Sequence, residues 1–477
     1  SQRAENILHG VEMQGNDVHL TVDMDIQQLA YELLGNNKGA AVVMNPTTGA
    51  IIAMASTPSF NPNTVNADWN ELANDSSSPM LNRATQGLYP PGSTFKIITA
   101  LAAMRNMANI DDFTFDCEGE VEIGNSVIHC YNSRVHGRLN IDDAMAVSCN
   151  STFATLGKTI GAAKLRETAD NLNANSAITL EVPLSQSSVS LSRFSSDSEL
   201  AETSIGQGKT VVTPIYMAML ISSVANDGQM MQPYMVSSIT DSAGNAVSTT
   251  VPKVYDTVMT AQEADRLTEM LTQVINRGTG TAAQLKGYQA AGKTGTAENE
   301  NENDHSWFVG FASTDNPQVA VAVILENVSG NERATPIGAR LMQAVLDKQN
   351  AGKIDNNNYN YQAQPVTPEE NKNDEINSDT EIIENTETPD DDYVIGSDNT
   401  DGSTDGTSNG NNNENGTDGT QNGSPGTNDG SSGDNNTGGG TTETPTIGGS
   451  DNNTEGGNTA PGLYKDNEGH RLELVNK

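Results

Sequence analysis

Ser93-Thr94-Phe95-Lys96, Ser148-Cys149-Asn150 and Lys293-Thr294-Gly295-Thr296 follow one another along the chain and together make a reactive set. The first places a serine hydroxyl and a lysine amine three residues apart, on one face of a helix. The second is a polar pair around a cysteine, and the third a cation among small residues. A lysine in a dry pocket near other cations can lose its proton near neutral pH and take one from a serine hydroxyl. The chemistry implied is serine acyl transfer with lysine as the base. Alone, an S-x-x-K or S-x-N arises by chance about once or twice in such a chain, and K-T-G in about one chain in ten. The ordered combination carries the information.

Each residue also has an ordinary reading. Pro90-Pro91-Gly92 precedes Ser93, so the serine falls at a helix start, where free N–H groups and the helix dipole favour developing negative charge. Alone, Ser93 would be a helix cap and Lys96 a solvated first-turn lysine. Ser148 and Asn150 stand just before an apolar helical stretch, alone a capping turn. As a site, Ser148 relays a proton between Lys96 and the leaving or incoming amine, and Asn150 holds the substrate's peptide backbone. Cys149 points into packing as a buried, unreactive thiol. In a strand, Lys293 and Gly295 share one face and Thr294 and Thr296 the other, so some groups must act through the backbone. Gly295 lets a substrate or the active-site helix come close. The N–H groups of Ser93 and Thr296 suit an oxyanion, and Lys293 with the Thr294 hydroxyl suits a substrate carboxylate.

The elements that must position these groups are legible. A strand end and a helix occupy residues 18–34, with Ile26, Leu29, Ala30 and Leu33 at helical spacing. Two apolar strands, Ala40–Met44 and Ile51–Ala55, flank the turn Asn45-Pro46-Thr47-Thr48-Gly49. Polar loop follows to about Gln86, and an apolar helix starts at Ser93. Helices are predicted at Ile141–Val147, Asn150–Thr159, Ala162–Leu172, Pro214–Asn226 and Ala261–Ile275. Strands follow at Tyr288–Ala297, Trp307–Ser313 and Gln318–Val328, then a helix at Pro336–Leu346. The fold class is α+β: one antiparallel sheet built from both chain ends, flanked by helices, with a mostly helical subdomain and a disordered tail.

The chain has 477 residues and a net charge of −37. Residues 351–477 hold 25 acidic and 5 basic residues, with no Lys or Arg between Asn373 and Tyr464. A Gly/Asn/Asp/Ser/Thr-rich stretch of this kind buries too little apolar surface to offset its chain entropy and is expected to be disordered. The parts are then 1–17, a linker remnant; 18–350, the reactive domain; 351–460, the acidic tail; and 461–477, a short apolar-containing end. The acidic balance argues against nucleic acid. No run of about 18 apolar residues offers a membrane-spanning helix. Cys117 and Cys130 flank a hairpin and pair if the compartment is oxidising; otherwise they are separate, partly buried thiols. The six histidines show no i, i+4 pairing and only one adjacent cysteine, so no metal and no cofactor are expected.

The three motifs, with Tyr89-Pro90-Pro91-Gly92, Asn45-Pro46-Thr47-Thr48-Gly49, Ile205-Gly206-Gln207-Gly208, Thr213-Pro214 and His305-Ser306-Trp307-Phe308-Val309-Gly310, resemble the transpeptidase domain of class B penicillin-binding proteins from about Val18 to Asp347. The resemblance implies a fold shared with β-lactamases and a D,D-transpeptidase that cross-links peptidoglycan stem peptides. Its donor ends in D-Ala-D-Ala, its acceptor is an amine, and β-lactams acylate it. It makes Ser93 the nucleophile, Lys96 the base, Ser148 and Asn150 the second motif and Lys293 to Thr296 the third. It also implies a place outside the cytoplasmic membrane, an anchor upstream of Ser1 and a membrane glycan polymerase as partner. Alternatives are a D,D-carboxypeptidase, a β-lactamase or β-lactam sensor, and a non-catalytic interaction module. Glu167 is the candidate to activate a deacylating water, although its surroundings read as a helix surface.

Overall fold

Gly39–Met44 and Val319–Leu325 are apolar throughout and buried at every position. Uninterrupted runs of this kind suit strands covered on both faces. The structure, a computed structural model, describes residues 15–298, 303–328 and 333–351. The two runs lie at the centre of a five-stranded antiparallel sheet. Its strands are β1 (Gly39–Met44), β2 (Ile51–Thr57), β3 (Ala290–Ala297), β4 (His305–Ala312) and β5 (Val319–Leu325), in the order β3-β4-β5-β1-β2. The sheet is thus assembled from both ends of the domain, with Val42 opposite Ala322 where they meet.

The helices that matter to the site are α1 (Met24–Leu34), α2 (Lys96–Asn106), α3 (Ile141–Ala146), α4 (Asn150–Ile160), α5 (Pro214–Ala225), α6 (Ala261–Arg277) and α7 (Ala334–Asn350). Strand alternation sends Ala41, Val43, Val321 and Val323 to a core shared with α1 and α7. Ala40, Val42, Ala322 and Ile324 face a larger core that includes α2, α4 and α5. All twelve residues of α5 are buried, as its apolar sequence requires. Each large aliphatic side chain buried there contributes about 1.5–3 kcal/mol. α6 opens on a reciprocal cap between Thr260 and Glu263 and turns Leu267, Leu271 and Val274 inward.

Three sequence expectations are corrected. The stretch expected as loop contains a helix at Val65–Asn74 that buries none of its residues; Val65, Trp69 and Leu72 stand at helical spacing there, a sparse stripe among polar residues. The helix expected from Ser93 begins as a 3-10 turn, Gly92–Phe95, and becomes α-helical at Lys96. Small β-ribbons escaped notice as well: Thr114–Cys117 with Gly137–Asn140, Gln229–Met231 with Val254–Thr257, and the strands Val236–Thr240 and Ala246–Thr249 that join the expected strand end at Asp17–Leu20. They are too short for alternation to stand out. The hairpin expected between Cys117 and Cys130 is present, pairing Glu120–Ile123 with Ser126–His129. The expectations for residues 1–14 and 352–477, the acidic tail included, lie outside the described residues.

Candidate active site

Pro91 and Gly92 start the 3-10 turn, and Ser93 sits half-buried at the mouth of a cleft of about 1140 Å³. The backbone around the turn is held by close main-chain contacts. Gly92 N–H donates to the Gly206 carbonyl at 2.9 Å. Gly206 has φ +80°, and a Cβ there would lie 1.9 Å from the Gly92 oxygen, so only glycine fits. Thr94 Oγ1 donates to the Pro91 carbonyl at 2.7 Å, and Trp307 Nε1 to the Pro90 carbonyl at 3.0 Å. On the third motif, a Cβ at Gly295 would lie 3.0 Å from Thr94 Cγ2 and 3.1 Å from the Pro91 oxygen. The close approach expected at Gly295 is therefore that of the turn carrying Ser93.

One turn beyond the serine, Lys96 is 0% exposed. Its Nζ donates to the Ser148 carbonyl at 2.6 Å, Asn150 Oδ1 at 2.7 Å and Ser148 Oγ at 3.1 Å. Phe153 lies with its ring centre 5.5 Å from the same nitrogen. Burial pushes the Lys96 ammonium down to about 8, because the charged form loses its hydration. Ser148 adopts φ +57°, an uncommon conformation for a serine, at the break between α3 and α4. That break turns its carbonyl and its hydroxyl toward Lys96. Asn150 Nδ2 donates to the His129 carbonyl at 2.9 Å, which fixes the amide so that Oδ1 faces Lys96.

Lys293, also 0% exposed, donates from Nζ to Ser148 Oγ at 2.9 Å and to the Thr294 carbonyl at 3.0 Å. Thr294 and Thr296 line the cleft. The Thr294 hydroxyl itself meets Thr279 Oγ1 at 2.7 Å. Thr279 N–H in turn donates to the Ala146 carbonyl at 3.0 Å, tying the third motif to the end of α3, two residues before Ser148. Ser93, Ser148, Asn150, Thr294, Gly295 and Thr296 thus line one cleft, while Lys96 and Lys293 are buried and both reach the Ser148 hydroxyl. Thr279 was missed by sequence reading, since an isolated threonine beyond a helix end carries no local signal. Arg83 and Glu326 were missed for the same reason. Arg83 Nε donates to Glu326 Oε1 at 2.8 Å, and Tyr89 Oη to the same oxygen at 2.6 Å, just before the Pro90-Pro91 entry to the turn.

Glu167 lies elsewhere in role. It is exposed and accepts from Lys164 at 2.8 Å within one helix, so the helix-surface reading holds for it. Cys149 is buried in the larger core as expected, and its sulfur also meets another thiol. Its Sγ lies 3.7 Å from that of Cys130, which lies 3.7 Å from that of Cys117. No disulfide joins them, so the oxidised pairing of Cys117 and Cys130 is not the state described, and neither are the two thiols separate. His136 Nδ1 is 3.4 Å from Cys117 Sγ. His129, the histidine next to Cys130 in sequence, pairs instead with Glu120 at 3.0 Å.

With this geometry in hand, the likeness to known proteins is specific. The penicillin binding protein transpeptidase domain model matches residues 39–343. The chain belongs to that family, as the transpeptidase domain of a class B penicillin-binding protein. It is 31% identical over 372 residues to the peptidoglycan D,D-transpeptidase PbpA of Mycolicibacterium smegmatis, covering 72% of this chain and 75% of that protein. Among solved structures it resembles the D,D-transpeptidase domain of a peptidoglycan glycosyltransferase from Eggerthella lenta, with TM-score 0.66, 35% identity, and coverage of 71% of this chain and 84% of that one. It also resembles penicillin-binding protein A of Mycobacterium tuberculosis in its penicillin G acyl-enzyme complex, with TM-score 0.66, 30% identity, and coverage of 73% and 84%.

Proposed function

We propose that this chain is a peptidoglycan D,D-transpeptidase in which Ser93 is the nucleophile and Lys96 its general base. The arrangement around Lys96 carries the reading. As an ammonium it has three N–H donors for three acceptors, all within 3.1 Å. As a neutral amine it keeps two donors for the Ser148 carbonyl and Asn150 Oδ1, the two short contacts, which accept only. Its lone pair is then left for a hydroxyl proton. A depressed lysine pKa near 8 makes that neutral form accessible at physiological pH.

Ser93 Oγ loses its proton toward Lys96 as it attacks the carbonyl of the penultimate D-Ala. The new C–O bond forms a tetrahedral oxyanion, which the N–H groups of Ser93 and Thr296 stabilise. The C–N bond then breaks, and the leaving D-Ala amine takes a proton passed from Lys96 through the Ser148 hydroxyl. An acceptor amine attacks the resulting ester, gives up its proton by the same route, and frees Ser93. A β-lactam enters the same first step, but its leaving amine stays tethered. Asn150 orients the peptide, and Lys293 with the third-motif strand attracts the terminal carboxylate. The reaction takes place outside the cytoplasmic membrane, on stem peptides beside a glycan polymerase. Among the described residues no helix is long and apolar enough to cross a membrane.

The test is covalent labelling with a fluorescent penicillin, followed by a chase. Stable label on the wild type and none on Ser93→Ala supports the proposal. Label lost within the chase points to a β-lactamase, and no label on either protein to a non-catalytic module.

A further inference from the structure

We propose that Thr279 is a positioning residue that makes the enzyme select a free terminal carboxylate. It donates its hydroxyl proton to Thr294, so that Thr294 donates its own into the cleft. The proposal rests on the acyl-transfer reading of Ser93 and extends it to the far end of the donor peptide. Thr279 Oγ1 and Thr294 Oγ1 stand 2.7 Å apart, with Thr279 5% and Thr294 2% exposed. Among the described residues neither hydroxyl has another hydrogen-bond partner.

Two hydroxyls that face only each other hold two protons for one hydrogen bond. One proton must be aimed elsewhere, and the choice of donor decides where it goes. Thr294 lines the cleft and Thr279 does not. If Thr294 donated, the spare proton would belong to Thr279, buried against β3 with nothing to accept it, which is costly. With Thr279 as donor, the spare proton is that of Thr294, at the cleft wall. A carboxylate only accepts, so it completes the chain with a charge-assisted bond. A hydroxyl that already accepts one hydrogen bond is also polarised into a better donor. An ester or amide in the same place has no full charge to gain from this.

The backbone fixes Thr279 for the task. It follows Gly278 at the end of α6, where a Cβ would lie 2.2 Å from the Ala146 oxygen. Its own N–H donates to that oxygen at 3.0 Å, and Gly280 N–H returns to the Val274 carbonyl at 3.0 Å. A Cβ on Gly280 would lie 2.9 Å from Ile275 Cδ1. The threonine thus stands between two glycines because the end of α6 is pressed against the end of α3. Thr294 is held from its main chain too, its carbonyl accepting from Lys293 Nζ at 3.0 Å. Thr294 makes the substrate contact, while Thr279 sets its rotamer and the direction of its proton.

The experiment compares acylation of the full chain by penicillin G and by its methyl ester, which keeps the lactam and loses the negative charge. Second-order rate constants are read by intact-protein mass spectrometry for the wild type and for Thr279→Val, Thr279→Ala and Thr279→Ser. Thr279→Val keeps the shape and removes the hydroxyl, and should slow the acid about tenfold more than the ester, the weight of one hydrogen bond. Thr279→Ala should give the same ratio and serves if the valine prevents folding. Thr279→Ser should keep the wild-type ratio. Equal slowing of acid and ester would make Thr279 a structural residue and overturn the proposal. So would an unchanged acid rate in Thr279→Val, or a Thr279→Ser that behaves like it. A wild type that neither compound acylates would defeat the reading of Ser93, and this proposal with it.

Discussion

Lys293 places its ammonium 2.9 Å from the Ser148 hydroxyl, from the edge strand of the sheet to the break between two helices of the other subdomain. Lys96 reaches the same oxygen from the opposite side at 3.1 Å. The two cations thus share one acceptor, and the hydroxyl proton is left to point away from both. Ser148→Ala should remove the relay and leave each lysine one partner short. The β-lactam acylation rate should fall by about 10²–10⁴-fold, with a loss of about 1–3 kcal/mol in stability. Stopped-flow labelling and thermal unfolding measure the two effects; an unchanged rate would remove Ser148 from the mechanism.

In the proposed mechanism the state of Lys96 sets the pH dependence. Burial lowers its pKa to about 8, and only the neutral amine accepts a proton. Acylation by a β-lactam should therefore rise with pH along a limb centred near 8 and level off above it. Lys96→Arg, which stays charged, should show a rate at least about a hundredfold lower with no such limb. A flat profile in the wild type would count against lysine as the base.

Arg83 is 3% exposed and relies on Glu326, which also accepts from Tyr89. Glu326→Ala would leave a buried guanidinium without its counter-charge and should cost about 3–5 kcal/mol of stability. Because Tyr89 leads directly into Pro90-Pro91-Gly92, labelling of Ser93 should weaken alongside the fall in thermal midpoint. Chemical denaturation of both proteins checks the magnitude.

Gly206→Ala introduces a Cβ where the Gly92 oxygen stands and does so at φ +80°. Strain at positive φ and overpacking together should cost about 2–5 kcal/mol. The penicillin acylation rate should drop more steeply than stability alone explains, since the displaced backbone is the one that presents Ser93. Retained wild-type labelling would show that the loop relaxes elsewhere.

What the sequence disclosed followed from local pattern. Apolar runs in β1 and β5 and the helical spacing of Ile26, Leu29, Ala30 and Leu33 mark buried faces, and these elements were legible. So were the residues of the three motifs, because each is a short string. The helix at Val65–Asn74 was overlooked because its stripe of Val65, Trp69 and Leu72 is sparse and no residue of it is fully buried. The Thr279–Thr294 contact, the Arg83–Glu326 pair and the group of Cys117, Cys130, His136 and Cys149 were hidden for a different reason. They are made by tertiary folding between segments with no local signature.

The sheet order β3-β4-β5-β1-β2 has a consequence for how the protein comes into being. The strand that pairs with β1 ends at Leu325, and the strand that packs behind Ser93 begins at Ala290. A growing chain that has made only its first two motifs has nothing to seat the turn around Ser93 and no Lys293 to meet Ser148. On the proposed assignment of Ser93 and Lys293, reactivity should therefore arrive late in synthesis, when the last strands close the sheet. On the proposed role of Ser93, fragments that end before Ala290 should take no label from a fluorescent penicillin.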